Sequence, residues 1–299
     1  MLLKRLARKF APRLHRLSIA GIEHTAPVCA EATGLVYVSQ LCHRDVGNWL
    51  VAIKSVIAGT GPGEITVLDD GSLTDADKRL LTHHIAGLNI VPIARVRTDS
   101  FPKGGTWERL LLILDLMAER YVVQVDADLL ALSPLTEVIA AIRENRGFTL
   151  AGEDSAALTS VAAAASQARQ STYDHIQIAA ERVMDQMPGA EGLRYVRGCS
   201  GFAGFPRGCS REHAVLLSSF MRAKLGQQWN DWGSEQVASN FVIANSDPEP
   251  IVLPWLRYPA FNPQQDLSEA ALIHFIGPFR YNGGVYRRLS RQIIRTLPA

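Results

Sequence analysis

The chain has 299 residues, of which 47% are hydrophobic, and its formal net charge is +2. This length suits one large α/β domain or two small ones. No run of 18 or more apolar residues occurs, so we expect no transmembrane helix.

Both ends of the chain are basic and amphipathic. Residues 1–22 and 270–299 hold eleven of the 31 Lys and Arg and no acid, so the remaining 20 cations against 29 acids give the middle a charge of −9. Apolar residues recur at helical spacing in the first segment: Leu2, Leu6, Phe10, Leu14 and Leu17. Pro12 is expected to bend or restart that helix. Two interpretations fit: the ends bind an anionic membrane surface, or they pack their apolar stripes on the domain.

The start of the chain and the cysteines bear on its location. Basic residues interrupt the first apolar runs and no cleavage-like site follows, which argues against a secretory signal. The four cysteines lack metal-ligand spacing and imply no disulfide, so we expect a cytoplasmic protein, peripheral on the inner membrane face if the basic ends bind lipid. The acidic middle disfavours nucleic acid as a partner.

Strands and helices alternate in the first half of the chain. The pattern predicts strands over 34–39, 64–68, 89–93 and 121–125, separated by helices over 46–58, from residue 74 onward, and over 107–120. Thr74 is the expected N-cap of the second helix, with Asp77 as the acidic residue of its capping box. This alternation predicts a Rossmann-like, mostly parallel central sheet with helices on both faces.

Candidate binding residues follow three of these strands. In open parallel sheets, ligands bind at the carboxyl ends of the strands. Those ends carry Val38, Ser39 and Gln40, then Asp69 and Asp70, and finally Asp126-Ala127-Asp128. Turn chemistry alone also explains the Asp-Gly-Ser sequence after the second strand.

The Asp126-Ala127-Asp128 segment is the strongest chemical signal. Residues i and i+2 of a strand project to one side, so the two carboxylates can share a divalent cation. Such a cation neutralises a diphosphate, which points to metal-dependent chemistry on a nucleotide-sugar. The alternative is a strand-end turn with two solvated carboxylates. Burying two like charges so close is costly without a cation.

The regular alternation of predicted strands and helices ends after residue 150. Residues 156–190 and 206–243 are largely helical, and 271–276 reads as a last short strand. Gly198–Gly204 is a small-residue segment where backbone can approach a ligand closely. We predict one continuous domain over 23–282, preceded by a basic amphipathic segment (1–22) and followed by a basic amphipathic tail (283–299).

Four motifs, in chain order, resemble those of the GT-A-fold glycosyltransferases. The nearest resemblance is to the retaining group that includes glycogenin and the bacterial lipopolysaccharide galactosyl- and glucosyltransferases. The motifs are Arg109-Leu110 ahead of Asp126-Ala127-Asp128, then Cys199-Ser200-Gly201-Phe202, Glu235-Gln236-Val237-Ala238-Ser239-Asn240 and His274-Phe275-Ile276-Gly277-Pro278-Phe279-Arg280. The family carries Arg-Leu, Asp-x-Asp, Asn-Ala-Gly, Asp-Gln-Asp-x-x-Asn and His-Phe/Tyr-x-Gly-x-x-Lys-Pro-Trp. This chain departs from that pattern at Cys199, Ser200, Val237, Arg280 and Tyr281-Asn282.

The resemblance implies a set of roles. Mn²⁺ (or Mg²⁺) would be held by Asp126, Asp128 and His274. The diphosphosugar would be bound by Arg109, Lys103, Gly277 and Arg280, and the nucleoside by Asp69 and Asp70. Gln236 would lie beside the anomeric carbon, with Glu235 stabilising an oxocarbenium-like state. Residues 34–150 would form the nucleotide-sugar-binding half and 151–282 the acceptor half.

The function implied is transfer of a hexose from a nucleotide diphosphosugar, a UDP-sugar, to a glycan or glycolipid, with retention. The setting would be lipopolysaccharide or surface polysaccharide biosynthesis. One alternative is an inverting GT-A transferase with Asp231 or Glu235 as base. Another is a catalytically silent nucleotide-sugar-binding protein, which the altered third motif favours. Purely structural roles are also compatible with the sequence: His274 as a core histidine, and Arg109 and Glu235 as solvated charges on helix surfaces.

Overall fold

The structure is a computed structural model that describes residues 2–153 and 156–299, with side chains described from Phe10 onward in the first helix. The apolar and basic side chains predicted to make residues 2–9 amphipathic lie outside the described residues.

The helices and strands are numbered in chain order. The α-helices are α1 Leu2–Ile19, α2 Val46–Thr60, α3 Asp75–His84, α4 Trp107–Leu116, α5 Thr136–Arg143, α6 Val161–Gln170, α7 Ile176–Glu181, α8 Glu212–Leu225, α9 Ser234–Ala244 and α10 Val285–Thr296. The strands are β1 Val28–Cys29, β2 Leu35–Leu41, β3 Glu64–Asp69, β4 Ile85–Ala86, β5 Asn89–Pro92, β6 Tyr121–Val125, β7 Leu129–Ala131, β8 Phe148–Ala151, β9 Thr159–Ser160, β10 Arg194–Tyr195, β11 Gly198–Phe205, β12 Ile251–Leu253 and β13 Leu272–His274.

The described residues form a central seven-stranded sheet in the order β12-β8-β11-β6-β2-β3-β5. Strand β2 pairs in parallel with β3, β3 with β5, and β12 with β8, whereas β11 runs antiparallel to β8. The β-α alternation predicted for the first half is present. The predicted fold class, a mostly parallel α/β sheet flanked by helices, is confirmed.

The chain divides into two compact units. The first comprises the residues up to Pro92 together with Val125–Thr136 and Leu256–Ala299. Its core lies around α2, where Trp49, Leu50 and Ile53 are fully buried. Helices α1 and α10 pack against each other, and both pack on α2. In the same unit β13 pairs antiparallel with β7, which sets His274 opposite Leu129.

The second unit comprises Ile93–Gln124 and Glu137–Trp255. Helix α9 packs on β11 and α8, and ten of its residues are buried. Strand β11 lies so close to its neighbours that a Cβ on Gly198 would fall 2.4 Å from Thr149 Oγ1. Close packing therefore accounts for small residues in this segment.

Several boundaries differ from the sequence prediction. Helix α1 runs through Pro12 without a restart, and the helix predicted to Arg120 ends at Leu116. The Gly198–Gly204 segment is most of an eight-residue buried strand. Thr74 caps α3 with the predicted Asp77 capping box. Among the described residues, no helix pairs enough length with enough apolar character to cross a membrane.

Candidate functional site

Asp126, Asp128 and His274 converge in the first unit. Asp128 immediately precedes β7, and His274 ends β13 opposite the first residue of β7. The Phe275 N–H donates to the Asp128 carbonyl over 2.9 Å, which fixes the two segments side by side. His274 Nε2 lies 3.2 Å from Asp128 Oδ1 and 4.0 Å from Asp126 Oδ2. One ligand atom from each residue lies within 4.8 Å of the other two.

Strong electrostatics surround Asp128, which is 6% exposed beside the 1% exposed His274. Burial acts to raise the pKa of the Asp128 carboxyl. The charge and hydrogen bond of His274 and the charge of Arg280 outweigh that effect and hold the pKa below its usual range. Arg280 Nη2 binds Asp128 Oδ2, and Arg280 Nε donates to the Phe275 carbonyl over 2.8 Å. Asp128 is therefore an ionised, buried carboxylate.

The donor set fits a divalent cation. Two carboxylates and one imidazole offer more oxygen than nitrogen and no thiolate, a combination that suits Mn²⁺ or Mg²⁺ better than a structural zinc. Two like charges this close are also tolerated best when a cation lies between them. His274 is buried as a core histidine would be, but its Nε2 is directed at the carboxylates.

Tyr286 supports this cluster and carried no signal in the sequence motifs. It is 1% exposed, and its ring stacks on Phe275 with centroids 4.4 Å apart and on His15 at 4.1 Å. Its hydroxyl donates to the Ala127 carbonyl over 3.4 Å. The available sequence signal for Tyr286 was its position as an aromatic residue on the apolar face of the C-terminal helix. Helix α10 thus braces the segment that carries the aspartates.

The residues predicted at the end of β2 differ in access. Val38 is fully buried, and Ser39 Oγ donates to the Val125 carbonyl over 2.6 Å while it accepts from Trp49 Nε1 over 2.8 Å. Ser39 is therefore committed to the core. Gln40 is partly exposed, and its Oε1 has no hydrogen-bond partner among the described residues. Of these three residues, Gln40 has an unpartnered polar atom, its buried Oε1, and a ligand role for Gln40 remains a prediction.

Asp69 and Asp70 are engaged in the turn after β3. Asp69 is 4% exposed; its Oδ1 accepts two backbone N–H groups of the turn and its Oδ2 lies 2.9 Å from Lys78 Nζ. Burial acts to raise the pKa of Asp69, but Lys78 and the N–H donors outweigh it and lower the pKa. Asp70 Oδ1 accepts from both the N–H and the hydroxyl of Ser72. Turn chemistry accounts for these contacts, and a nucleoside role remains a prediction.

Glu235 and Arg109 form a buried cluster in the second unit. They are 3% and 4% exposed, and Arg109 Nη2 lies 3.6 Å from Glu235 Oε2. The same carboxylate oxygen accepts from Thr106 Oγ1 over 2.8 Å and from Ser200 Oγ over 3.3 Å. Neither residue is the solvated surface charge considered as an alternative. No local sequence pattern points to Thr106, because its partner lies 129 residues away.

Gln236 follows on the exposed side of α9. Its Oε1 accepts the Ser200 N–H and its Nε2 donates to Gln177 Oε1, each over 3.3 Å. Val237, which stands where the family has a third acid, is fully buried and packs in the core. The altered motif therefore has an apolar side chain in place of the family's carboxylate, at a position that is buried in this structure.

The remaining predicted residues are accessible. Lys103 in the second unit and Asp231, the alternative base, are exposed. Gly277 in the first unit has φ +71, and a Cβ there would meet no heavy atom within 4 Å. A left-handed backbone, not crowding, accounts for glycine at this position.

Comparisons with known proteins identify the fold. The WbbM bifunctional glycosyltransferase, in its apo structure, matches with a TM-score of 0.54 at 13% identity over 91% of this chain and 51% of its own, so the chain spans about half the length of that protein. The galactosyltransferase LgtC, in complex with donor and acceptor sugar analogs, matches with a TM-score of 0.49 at 13% identity over 88% of this chain and 96% of its own. Mouse xyloside xylosyltransferase 1 matches with a TM-score of 0.46 at 12% identity over 83% of this chain and 98% of its own. No protein-family model matches the sequence, and no curated protein matches it. The likeness to WbbM shows that the chain has the GT-A glycosyltransferase fold.

Proposed function

We propose that the protein is a metal-dependent glycosyltransferase that moves a hexose from a UDP-sugar to a glycan or glycolipid acceptor with retention. The observation that carries this proposal is the cluster of Asp126 with the buried Asp128 and His274 in a chain of GT-A fold. The proposal assigns the nucleotide-sugar to residues 34–150 and the acceptor to residues 151–282.

The cluster supplies the donor side of the proposed reaction. Asp126, Asp128 and His274 would hold Mn²⁺ or Mg²⁺, which would supply Lewis-acid stabilisation of the departing diphosphate. Arg280, already fixed on Asp128 and on the Phe275 carbonyl, adds a fixed positive charge for phosphate oxygens. In this proposal Gly277, Gln40, Lys103 and Arg109 contribute the remaining donor contacts.

The sugar side is assigned to the start of α9. Gln236 is uncharged and therefore a poor nucleophile, which favours a front-face retaining route. Glu235 is a buried carboxylate with three polar neighbours, a setting that stabilises developing positive charge on the sugar. An inverting reaction would instead use Asp231 or Glu235 as base. The anomeric coupling constant of the product, read by proton NMR, decides between these routes.

Ligand-induced stabilisation tests the proposal. Thermal unfolding is measured with a panel of nucleotide-sugars, each with and without Mn²⁺. We expect at least one UDP-sugar to raise stability by about 2.7 kcal/mol at 100 times its dissociation constant, and only with metal. A silent binding protein would show this shift without metal-dependent turnover of the sugar. If no nucleotide-sugar in the panel gave a metal-dependent shift, the proposed metal-dependent transferase function would be refuted.

The basic ends of the chain fit an anionic membrane surface. Phe10, Leu14 and Leu17 of α1 are 52%, 49% and 67% exposed, so these three side chains are not packed on the domain, whereas Leu289 and Ile293 of α10 are each 7% exposed and are packed. The neighbouring α10 exposes four arginines: Arg287, Arg288, Arg291 and Arg295. Near an anionic surface each cation contributes about 1 kcal/mol of attraction. The enzyme would then act at the inner membrane face on a membrane-borne acceptor, in surface polysaccharide or lipopolysaccharide synthesis.

Vesicle flotation tests this part separately. The full chain should float with vesicles containing phosphatidylglycerol and not with neutral phosphatidylcholine vesicles. Replacing Phe10, Leu14 and Leu17 together by Ser should abolish flotation, whereas Val215→Ser, at an exposed apolar residue of α8, should not. Equal flotation of both variants would remove the membrane assignment.

A further inference from the structure

Trp232 is an exposed aromatic side chain beside the proposed catalytic helix. It is 73% exposed, whereas Trp49, Trp107 and Trp229 are 0–1% exposed. It precedes α9 by two residues, and α9 carries Gln236 in its first turn. An exposed indole this close to a proposed catalytic residue contributes little to the core, so its position calls for another explanation.

The turn that carries Trp232 contains a glycine with a left-handed backbone. Gly233 has φ +104, and a Cβ there would fall 2.8 Å from His175 Cε1, so glycine is required by both conformation and space. The rings of His175 and Trp232 meet nearly at right angles, 80°, with centroids 6.1 Å apart. The indole is thus held by its neighbour while most of it faces solvent.

Polar groups connect this aromatic to Gln236. His175 Nδ1 accepts the Gln177 N–H over 3.2 Å, which leaves Nε2 to carry the proton of the neutral ring. Gln177 Oε1 in turn accepts from Gln236 Nε2 over 3.3 Å. His175, Gln177 and Gln236 are all partly exposed. The segment therefore offers an apolar ring bordered by hydrogen-bonding groups.

That combination matches a pyranose ring. A sugar has one face of C–H groups, which carry slight positive charge and lie well on the electron-rich face of an indole. Its rim of hydroxyls needs donors and acceptors such as imidazole and amide groups. A membrane contact is the competing explanation for an exposed indole, and the charge around Trp232 argues against it. Asp174 and Asp231, adjacent in sequence to the two rings, are exposed and would repel anionic headgroups.

We infer that Trp232 and His175 form an acceptor subsite that stacks a pyranose ring of a glycan next to Gln236. This inference rests on the proposed transferase function and makes its acceptor a saccharide. Trp232 sets acceptor affinity, and Gln177 positions Gln236 relative to the bound ring.

Saturation-transfer NMR on the full chain tests the subsite directly. The probes are the methyl glycosides of glucose, galactose and N-acetylglucosamine, measured with UDP and the diamagnetic Mg²⁺ present. Glucitol, an open-chain polyol with similar hydroxyls and no ring face, is the ligand control. The variants are Trp232→Ala, Trp232→Phe and, as an exposed apolar control, Val215→Ala, with circular dichroism to confirm folding.

We expect saturation transfer to the ring protons of at least one glycoside and none to glucitol. Trp232→Ala should weaken the glycoside roughly five- to tenfold, the size of one well-placed aromatic contact, while Trp232→Phe retains most of the affinity and Val215→Ala all of it. Unchanged glycoside binding in Trp232→Ala, no glycoside binding by the wild type, or equal binding of glucitol would each overturn the subsite. A UDP-sugar thermal shift distinguishes the two failures. Its absence refutes the transferase, and its presence without a Trp232 effect refutes only the subsite.

Discussion

The Asp128→Asn and Asp126→Asn variants remove the same kind of ligand from different surroundings. Asp128 is 6% exposed and is bound by Arg280 and by His274 at 3.2 Å, whereas the Asp126 side chain is 30% exposed and 4.0 Å from His274. Removing one partner of a buried ion pair costs about 3–5 kcal/mol. The amide keeps the carboxylate's shape and the repulsion from Asp126 is relieved, so we expect about 3 kcal/mol for Asp128→Asn. Asp126→Asn should cost about 0–1 kcal/mol.

Metal binding should separate both variants from the wild type, because each variant loses a metal ligand. The wild type should gain about 2.7 kcal/mol of unfolding free energy at Mn²⁺ concentrations 100 times the dissociation constant, and each variant should gain much less. Urea unfolding followed by circular dichroism, with and without Mn²⁺, measures both quantities. Equal costs for the two variants in metal-free buffer would refute the burial argument. A full Mn²⁺ response in either variant would refute its role as a ligand.

Three further predictions concern the scaffold. Burial lowers the pKa of Lys54 from 10.5 to about 8, so the unfolded chain binds more protons than the folded chain between these two pH values. The unfolding free energy of the wild type, relative to that of Lys54→Met, should therefore rise by about 2 kcal/mol from pH 8 to pH 10. Parallel pH profiles of the two unfolding free energies would contradict this prediction. Gly198→Ala places a Cβ 2.4 Å from Thr149 Oγ1 and should cost about 3 kcal/mol in urea unfolding, so a cost below that of an ordinary surface change would argue against the close packing. Thr74→Ala removes the reciprocal hydrogen bonds with Asp77 at the start of α3 and should cost about 1 kcal/mol, and an unchanged denaturation midpoint would show the cap to be dispensable.

Local signals made much of the first half predictable. The β-branched strand ending at Val125, the capping box of Thr74 and Asp77, and the β-α alternation are all short-range patterns, and the structure contains each of them. The grouping of Asp126 and Asp128 with His274 was implied by the resemblance to the GT-A glycosyltransferases. The antiparallel register of β7 and β13, which brings them together, was not expected.

The second half was less predictable because tertiary packing overrides local preference there. Strand β11 is built of Gly, Ala, Ser, Cys and Phe, a composition with weak strand propensity, and it is held by β8 and α9. The pairing of Arg109 with Glu235 joins residues on α4 and α9, helices far apart in the sequence. Ser39 and Asp69 lie where the strand-end rule places ligand groups, yet their hydrogen bonds belong to the core and to a turn.

Release of UDP from UDP-sugars tests the central claim most directly. The protein is incubated with each UDP-sugar and a mixture of methyl glycosides, with Mn²⁺ or with EDTA, and UDP is quantified. We predict release with at least one donor, suppressed by EDTA and reduced roughly 100-fold in Asp126→Asn, which corresponds to about 2.7 kcal/mol of transition-state stabilisation. Release that is equal in EDTA, or equal in Asp126→Asn, would contradict a reaction that depends on the Asp126, Asp128 and His274 cluster.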